Sequence, residues 1–198
     1  MMKKLLVTMF LSLYFIIPSE ADDIKDFQIE GISIGDSALN YIDKKKLINS
    51  MGYGFKTKEF AYITIKKKSD TYDEILLLFK PEDKKFIIHS ISARIYYLKD
   101  ANSCYTQQKK ITKELFEVFK NRAKKDDQGT FNYKADKTGK SKVTAINFLI
   151  DGGGLAHVGC YKYSKEFKKE YNLTEEGKLS IALGSKEYRE FQKNRAYK

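Results

Sequence analysis

Lys142-Val143-Thr144-Ala145-Ile146-Asn147-Phe148-Leu149-Ile150, then Asp151-Gly152-Gly153-Gly154, then Leu155-Ala156-His157-Val158-Gly159-Cys160-Tyr161-Lys162-Tyr163 is the stretch that decides the fold. Two runs rich in β-branched and aromatic residues flank an acidic, glycine-rich break, which is the pattern of a β-hairpin. Side chains alternate across a strand, so Leu155, His157, Tyr161 and Tyr163 share one face of the second arm. Cys160 falls on the other.

Working toward the N-terminus, three more strand-like runs follow one another: Phe60–Lys67, Glu74–Lys80 and Phe86–Leu98. Ser69-Asp70 and Pro81-Glu82-Asp83 supply short polar turns between them, the pattern of an antiparallel meander. Before them, Gly35-Asp36-Ser37 offers capping chemistry for one or two short helices that end near Met51. Between the meander and the hairpin, Ile111, Leu115, Val118 and Phe119 recur at helical spacing and predict an amphipathic helix starting near Ser103. Cys104, seven residues before Ile111, lies on the same predicted inward face. The polar stretch Lys124–Ser141 reads as a long loop with room for a short edge strand at Thr130–Lys134. Beyond the hairpin come a helical turn at Phe167–Tyr171, a last strand at Lys178–Leu183, and a final helix capped by Ser185. Strand runs separated by single helices define an α+β fold. The expected architecture is a single antiparallel sheet of five to six strands, meander plus hairpin, with helices on one face.

The N-terminus adds a location. Lys3 and Lys4 precede an uncharged apolar run, Leu5–Ile17, broken by Pro18 and followed by Ser19-Glu20-Ala21. That is the layout of a secretory signal peptide, residues 1–21. The run is shorter than the roughly 20 residues that span a bilayer. Asp22, not a cysteine, stands immediately after the cut, which argues against a lipid anchor. Residues 22–198 are then a single domain working in the periplasm or outside the cell. The leader takes two positive charges and one negative with it, so the formal charge of +11 becomes +10. Arg94, Arg122, Arg189 and Arg195 are the four arginines among 37 basic residues. A lysine-dominated surface suits weak contact with an anionic surface better than the bidentate recognition typical of nucleic-acid binding. Cys104 and Cys160 are the two cysteines, and an oxidising compartment favours joining them. Such a bond closes a 56-residue separation and is worth about 4 kcal/mol in the chain-entropy picture.

The chain offers little catalytic chemistry. His89 and His157 are its two histidines, and no Gly-x-Ser-x-Gly elbow accompanies them. His89 shares parity with Ile87, Ile91, Ala93 and Ile95, which predicts an inward side chain. Gly139-Lys140-Ser141 imitates the end of a phosphate-binding loop, but Lys134 stands where that motif needs glycine. The acidic pairs match no calcium loop, and no histidine pair has zinc spacing, so no cofactor or metal is implied. Asp151-Gly152-Gly153-Gly154 is read as a hairpin turn. Tyr96, Tyr97, Tyr161 and Tyr163 end strands where a sheet can present a ligand surface. His157, Tyr161, Tyr163 and Tyr96 are therefore the candidate ligand-binding residues.

Phe27-Gln28-Ile29-Glu30-Gly31-Ile32-Ser33-Ile34-Gly35-Asp36-Ser37-Ala38-Leu39-Asn40-Tyr41, with Ile88-His89-Ser90-Ile91-Ser92 and Asp136-Lys137-Thr138-Gly139-Lys140-Ser141, resembles a family of small exported proteins from marine bacteria. The resemblance spans most of the mature chain and implies export and a shared fold, but neither a function nor any catalytic residue. The expected function is a non-catalytic periplasmic binding or envelope-accessory protein whose partner is an envelope component or another exported protein. Two alternatives stand beside it: a small hydrolase using His157 or His89, and an inhibitory or docking module.

Overall fold

The computed structural model describes residues 24–65 and 71–196. The expected leader lies outside them, as does the end of the first meander run. A two-stranded ribbon of β1 (Gln28–Ile29) and β2 (Ile32–Ser33) opens the described chain. A single helical turn at Ala38–Asn40, capped by Ser37, leads to α1 (Lys44–Ser50), whose cap is Asp43. The meander follows as β3 (Ala61–Ile65), β4 (Glu74–Phe79) and β5 (Ile88–Tyr97). Then come α2 (Ser103–Phe119), β6 (Ala123–Asn132), β7 (Lys142–Ile150), β8 (Leu155–Lys162), α3 (Lys165–Tyr171), β9 (Gly177–Gly184) and α4 (Lys186–Asn194).

The fold is α+β, as the sequence order implies, but the main sheet has seven strands where five to six were expected. Their order is β3-β4-β5-β9-β8-β7-β6, every neighbour antiparallel. The last strand, β9, enters the middle and joins the meander to the hairpin. The additional strand is β6, which starts at Ala123 and takes up half of the expected loop. Nearly every β6 residue is exposed, so no buried alternation marks it, and a register shift near Asp127–Gly129 bends it at the edge.

Helices occupy both faces, not one. On the first face Ile75, Leu77 and Phe79 of β4, Ile91 and Ala93 of β5, and Leu179 and Ile181 of β9 form the main core with Leu47 of α1 and Phe119 of α2. On the other face Leu76 and Leu78 of β4 pack with Phe60 and with Tyr188 and Phe191 of α4. Both faces of β4 are apolar because both are covered. The expected inward edge of α2 holds at Cys104, Ile111, Leu115 and Phe119, which lie in or against the core, and fails at Val118. Cys104, Gln108, Thr112 and Phe119 are buried, whereas Val118 is 49% exposed. Gln108 is tolerated there because its amide donates to the carbonyls of Thr144 and Val158, at 2.8 and 2.9 Å.

Cys104 and Cys160 are bonded, with Cα atoms 5.8 Å apart. The bond pins the first turn of α2 to β8. The hairpin between β7 and β8 turns through Asp151-Gly152-Gly153, and Gly153 takes φ +91°, a conformation that favours glycine. A Cβ on Gly154 would lie 2.7 Å from Ile24 Cβ, so this turn also seats the first described residues.

Candidate functional site

The sheet face opposite α2 gathers the residues expected to bind. Register places Tyr96 of β5, Lys178 of β9 and Tyr161 of β8 in one row, continued by Val143 and Phe131. One step along the strands lies Arg94, Ser180, Gly159 and Ala145, and beyond that Ser92, Ala182, His157 and Asn147. Tyr163, two residues past Tyr161, joins an aromatic group with Tyr133 and Phe167, whose ring centres lie 6.3 and 5.4 Å from its own. Tyr161 meets Tyr133 at 5.3 Å. All four expected residues thus share one face.

Lys178 is the centre of this arrangement and carried no signal in the sequence, where a lysine in a strand reads as solvated surface. Its Nζ lies 4.9 Å from the centre of the Tyr161 ring. Among the described residues no carboxylate lies within ion-pairing distance of it. Glu74, whose charge acts on it, is engaged already: Arg94 Nη1 donates to Glu74 Oε1 at 2.8 Å, and the Tyr96 hydroxyl donates to the same oxygen at 2.5 Å. Burial, reinforced by the Arg94 charge and opposed by Glu74 and Glu175, brings Lys178 down to about 7. Burial and then the bond to Glu74 push Tyr96 up to about 12. Arg94 keeps a buried Nε with no acceptor.

His157 is on this face but is packed into it. Asn147 Oδ1 accepts from its Nδ1 at 2.8 Å, and the ring lies over Gly159, where a Cβ would come 2.5 Å from Nε2. Burial lowers its pKa to about 4, so it is neutral at ordinary pH. The partner of its Nδ1 is the Asn147 amide.

His89 corrects the sequence reading. β4 pairs Leu78 with Ser90 and Phe79 with Ile88, which leaves His89 as an extra residue in β5. This bulge reverses its parity and turns it away from the main core, against Phe60 and toward α4. There it lines a cleft of about 600 Å³ with Ile24, Asp151, Gly154, Ser185 and Glu187. Its Nδ1 lies 3.2 Å from Ser185 Oγ and 3.4 Å from Glu187 Oε2. A Ser–His–acid relay needs the serine on one ring nitrogen and the acid on the other. Here both approach the same nitrogen. Ser185 Oγ, moreover, accepts from Tyr188 N as the cap of α4, and Glu187 is paired with Lys80. Among the described residues neither histidine has a serine and an acid on opposite ring nitrogens.

The Gly139-Lys140-Ser141 loop is stapled rather than open. Asp136 accepts from Thr138 N, Thr138 Oγ1, Ser141 N and Ser164 Oγ. Lys140 pairs with Glu166. Among the described residues no cluster of three or more metal-ligating side chains occurs, and no helix is long and apolar enough to cross a membrane. No family model, no curated protein and no solved structure matches the chain.

Proposed function

We propose that this is an exported, non-catalytic binding protein that uses the sheet face of β5, β9 and β8 to hold a component of the cell envelope or another exported protein. The observation that supports this reading is the Tyr96–Lys178–Tyr161 row: a largely desolvated cation between two aromatic side chains, with no ion-paired carboxylate among the described residues. Proteins retain such costly groups where binding uses them. The signal-peptide layout, the disulfide and the likeness of the opening motif to exported proteins of marine bacteria are consistent with a site outside the cytoplasm. An inhibitory or docking module is less well supported, because the exposed apolar side chains are spread over the chain, as with Ile48 on α1, Leu98 after β5, Phe116 and Val118 on α2, and Phe131 on β6.

The test is to apply purified residues 22–198 to envelope glycans, anionic vesicles and envelope proteins at low salt, and to map any bound face by NMR. Binding that perturbs Tyr96, Tyr161 and Tyr163, and that Tyr161→Ala weakens, is the expected result. Absence of retention on every envelope fraction overturns the reading.

A further inference from the structure

We infer that the ligand of this face is an acidic saccharide whose carboxylate or phosphate sits on the Lys178 ammonium, with the sugar ring against Tyr161. The inference rests on the binding role proposed above and names the ligand class. Three structural features carry it.

The first is the missing ion pair. Lys178 and Arg94 bring two positive charges to adjacent rows; Glu74 is already used by Arg94 and Tyr96, and Glu175 acts on Lys178 only through its field. Among the described residues no carboxylate pairs directly with the Lys178 ammonium on this partly buried face. An incoming oxyanion pairs with that ammonium where water is scarce, which is where such a contact is strongest. The direct contact is Lys178 Nζ. Arg94 Nε is shut away from solvent, so Arg94 contributes through its charge.

The second is the surround. Tyr96 and Tyr161 flank Lys178 across the two neighbouring strands, and Tyr133 packs on Tyr161. Rings with phenol groups beside a cation suit a pyranose, which has an apolar C–H face and a rim of hydroxyls. The third is position. β9 is paired on both sides along this row, so its backbone groups are used within the sheet. A peptide cannot add to this face by strand pairing, which requires an open edge.

The proton on Lys178 governs the site. The groups facing it are Arg94 and Tyr96 from β5, Glu74 from β4, Tyr161 from β8, and Glu175 just before β9. Oxyanion binding requires the ammonium form, so affinity falls as pH rises through the lowered lysine pKa.

The experiment titrates disulfide-bonded residues 22–198 with glucuronic acid, glucose 6-phosphate and glucose, and follows the Lys178 side-chain NMR signals. Both charged sugars are expected to bind and to raise the Lys178 pKa, while glucose leaves it unchanged. Lys178→Met should weaken charged-sugar binding about 30-fold or more. Because that variant also alters packing, a second measurement uses the unmodified protein: affinity for both acids should drop between about pH 6 and about pH 9. If glucose binds as well as the acids, or if affinity is flat across that range, the inference fails while the binding face stands. A preference for glucuronic acid or for glucose 6-phosphate identifies which oxyanion the site takes. Tighter binding of polyglutamate than of either sugar overturns the saccharide assignment. If none of these probes and no envelope fraction perturbs Tyr96 or Tyr161, the inference and the binding role fall together.

Discussion

Cys160 and Tyr161 are consecutive residues of β8 that project to opposite sides of the sheet. Cys160 is bonded to Cys104 of α2, and Tyr161 lies beneath the Lys178 ammonium. The disulfide therefore anchors, from behind, the strand that holds the tyrosine side of the candidate site. In front, the same strand is shaped by Gly159, over which His157 and Tyr161 both lean.

Replacing both cysteines by alanine should cost about 2–5 kcal/mol, the usual range for a native disulfide in a small secreted domain. Urea unfolding of the two proteins measures it. Thiol titration of the unfolded, unreduced mature chain should find no reactive thiol; two per chain would show that the bond does not form.

Gly159→Ala tests the front of the strand. The new methyl would lie 2.5 Å from His157 Nε2 and 3.0 Å from Tyr161 Cε2, so both rings must move. Overpacking of this kind costs about 1–3 kcal/mol. The NMR signals of Lys178 should shift as well, because Tyr161 supports it. An unchanged urea midpoint with unchanged Lys178 signals would show that the rings do not occupy this space.

Asp136→Ala should lower the unfolding midpoint by removing the acceptor that Thr138, Ser141 and Ser164 share. Burial raises the Asp136 pKa, but the bonds from Ser141 and Thr138 outweigh it and hold the carboxyl well below the ordinary 3.8. Its stabilising contribution is present above that ordinary value and is lost as pH falls below it. Asp136→Ala should thus flatten the acid limb of the stability curve; an acid limb parallel to that of the unaltered protein would remove Asp136 as its cause.

How much could be read from residues alone depended on whether a local signal marked the structure. The β7–β8 hairpin was legible because Asp151-Gly152-Gly153-Gly154 interrupts two apolar runs, and the meander because Pro81-Glu82-Asp83 does the same. Pairing of Cys104 with Cys160 followed from their count and from the compartment expected of the leader. β6 was not legible beyond its end, since an exposed edge strand has no buried side to impose alternation. His89 was misplaced by one bulge residue, which only the pairing of Leu78 with Ser90 reveals. Tyr96, Tyr161, Tyr163 and His157 were found as strand residues, but Lys178 was not, because its burial depends on which strands flank β9. Chain order gives no hint that the last strand enters the middle of the sheet.

That same burial gives His157 a measurable pH signature. Its pKa falls from the ordinary 6.5 to about 4 because the folded chain desolvates the ring. In the unfolded chain the ring takes a proton near pH 6.5, whereas the folded chain resists until about pH 4. The unfolded state therefore binds more protons in that window, and stability drops as pH falls through it. A displacement of this size corresponds to about 3 kcal/mol lost across the window, with no further loss from this group below it. His89, also lowered chiefly by burial, adds a loss in the same direction, so the comparison must be with a variant that leaves His89 in place. His157→Gln is that variant. Urea midpoints of the two proteins, measured from pH 7 to pH 4, should differ in slope, with the variant flatter. Parallel curves would mean that His157 protonates equally well in both states, and that it is not packed over Gly159 with its Nδ1 on Asn147.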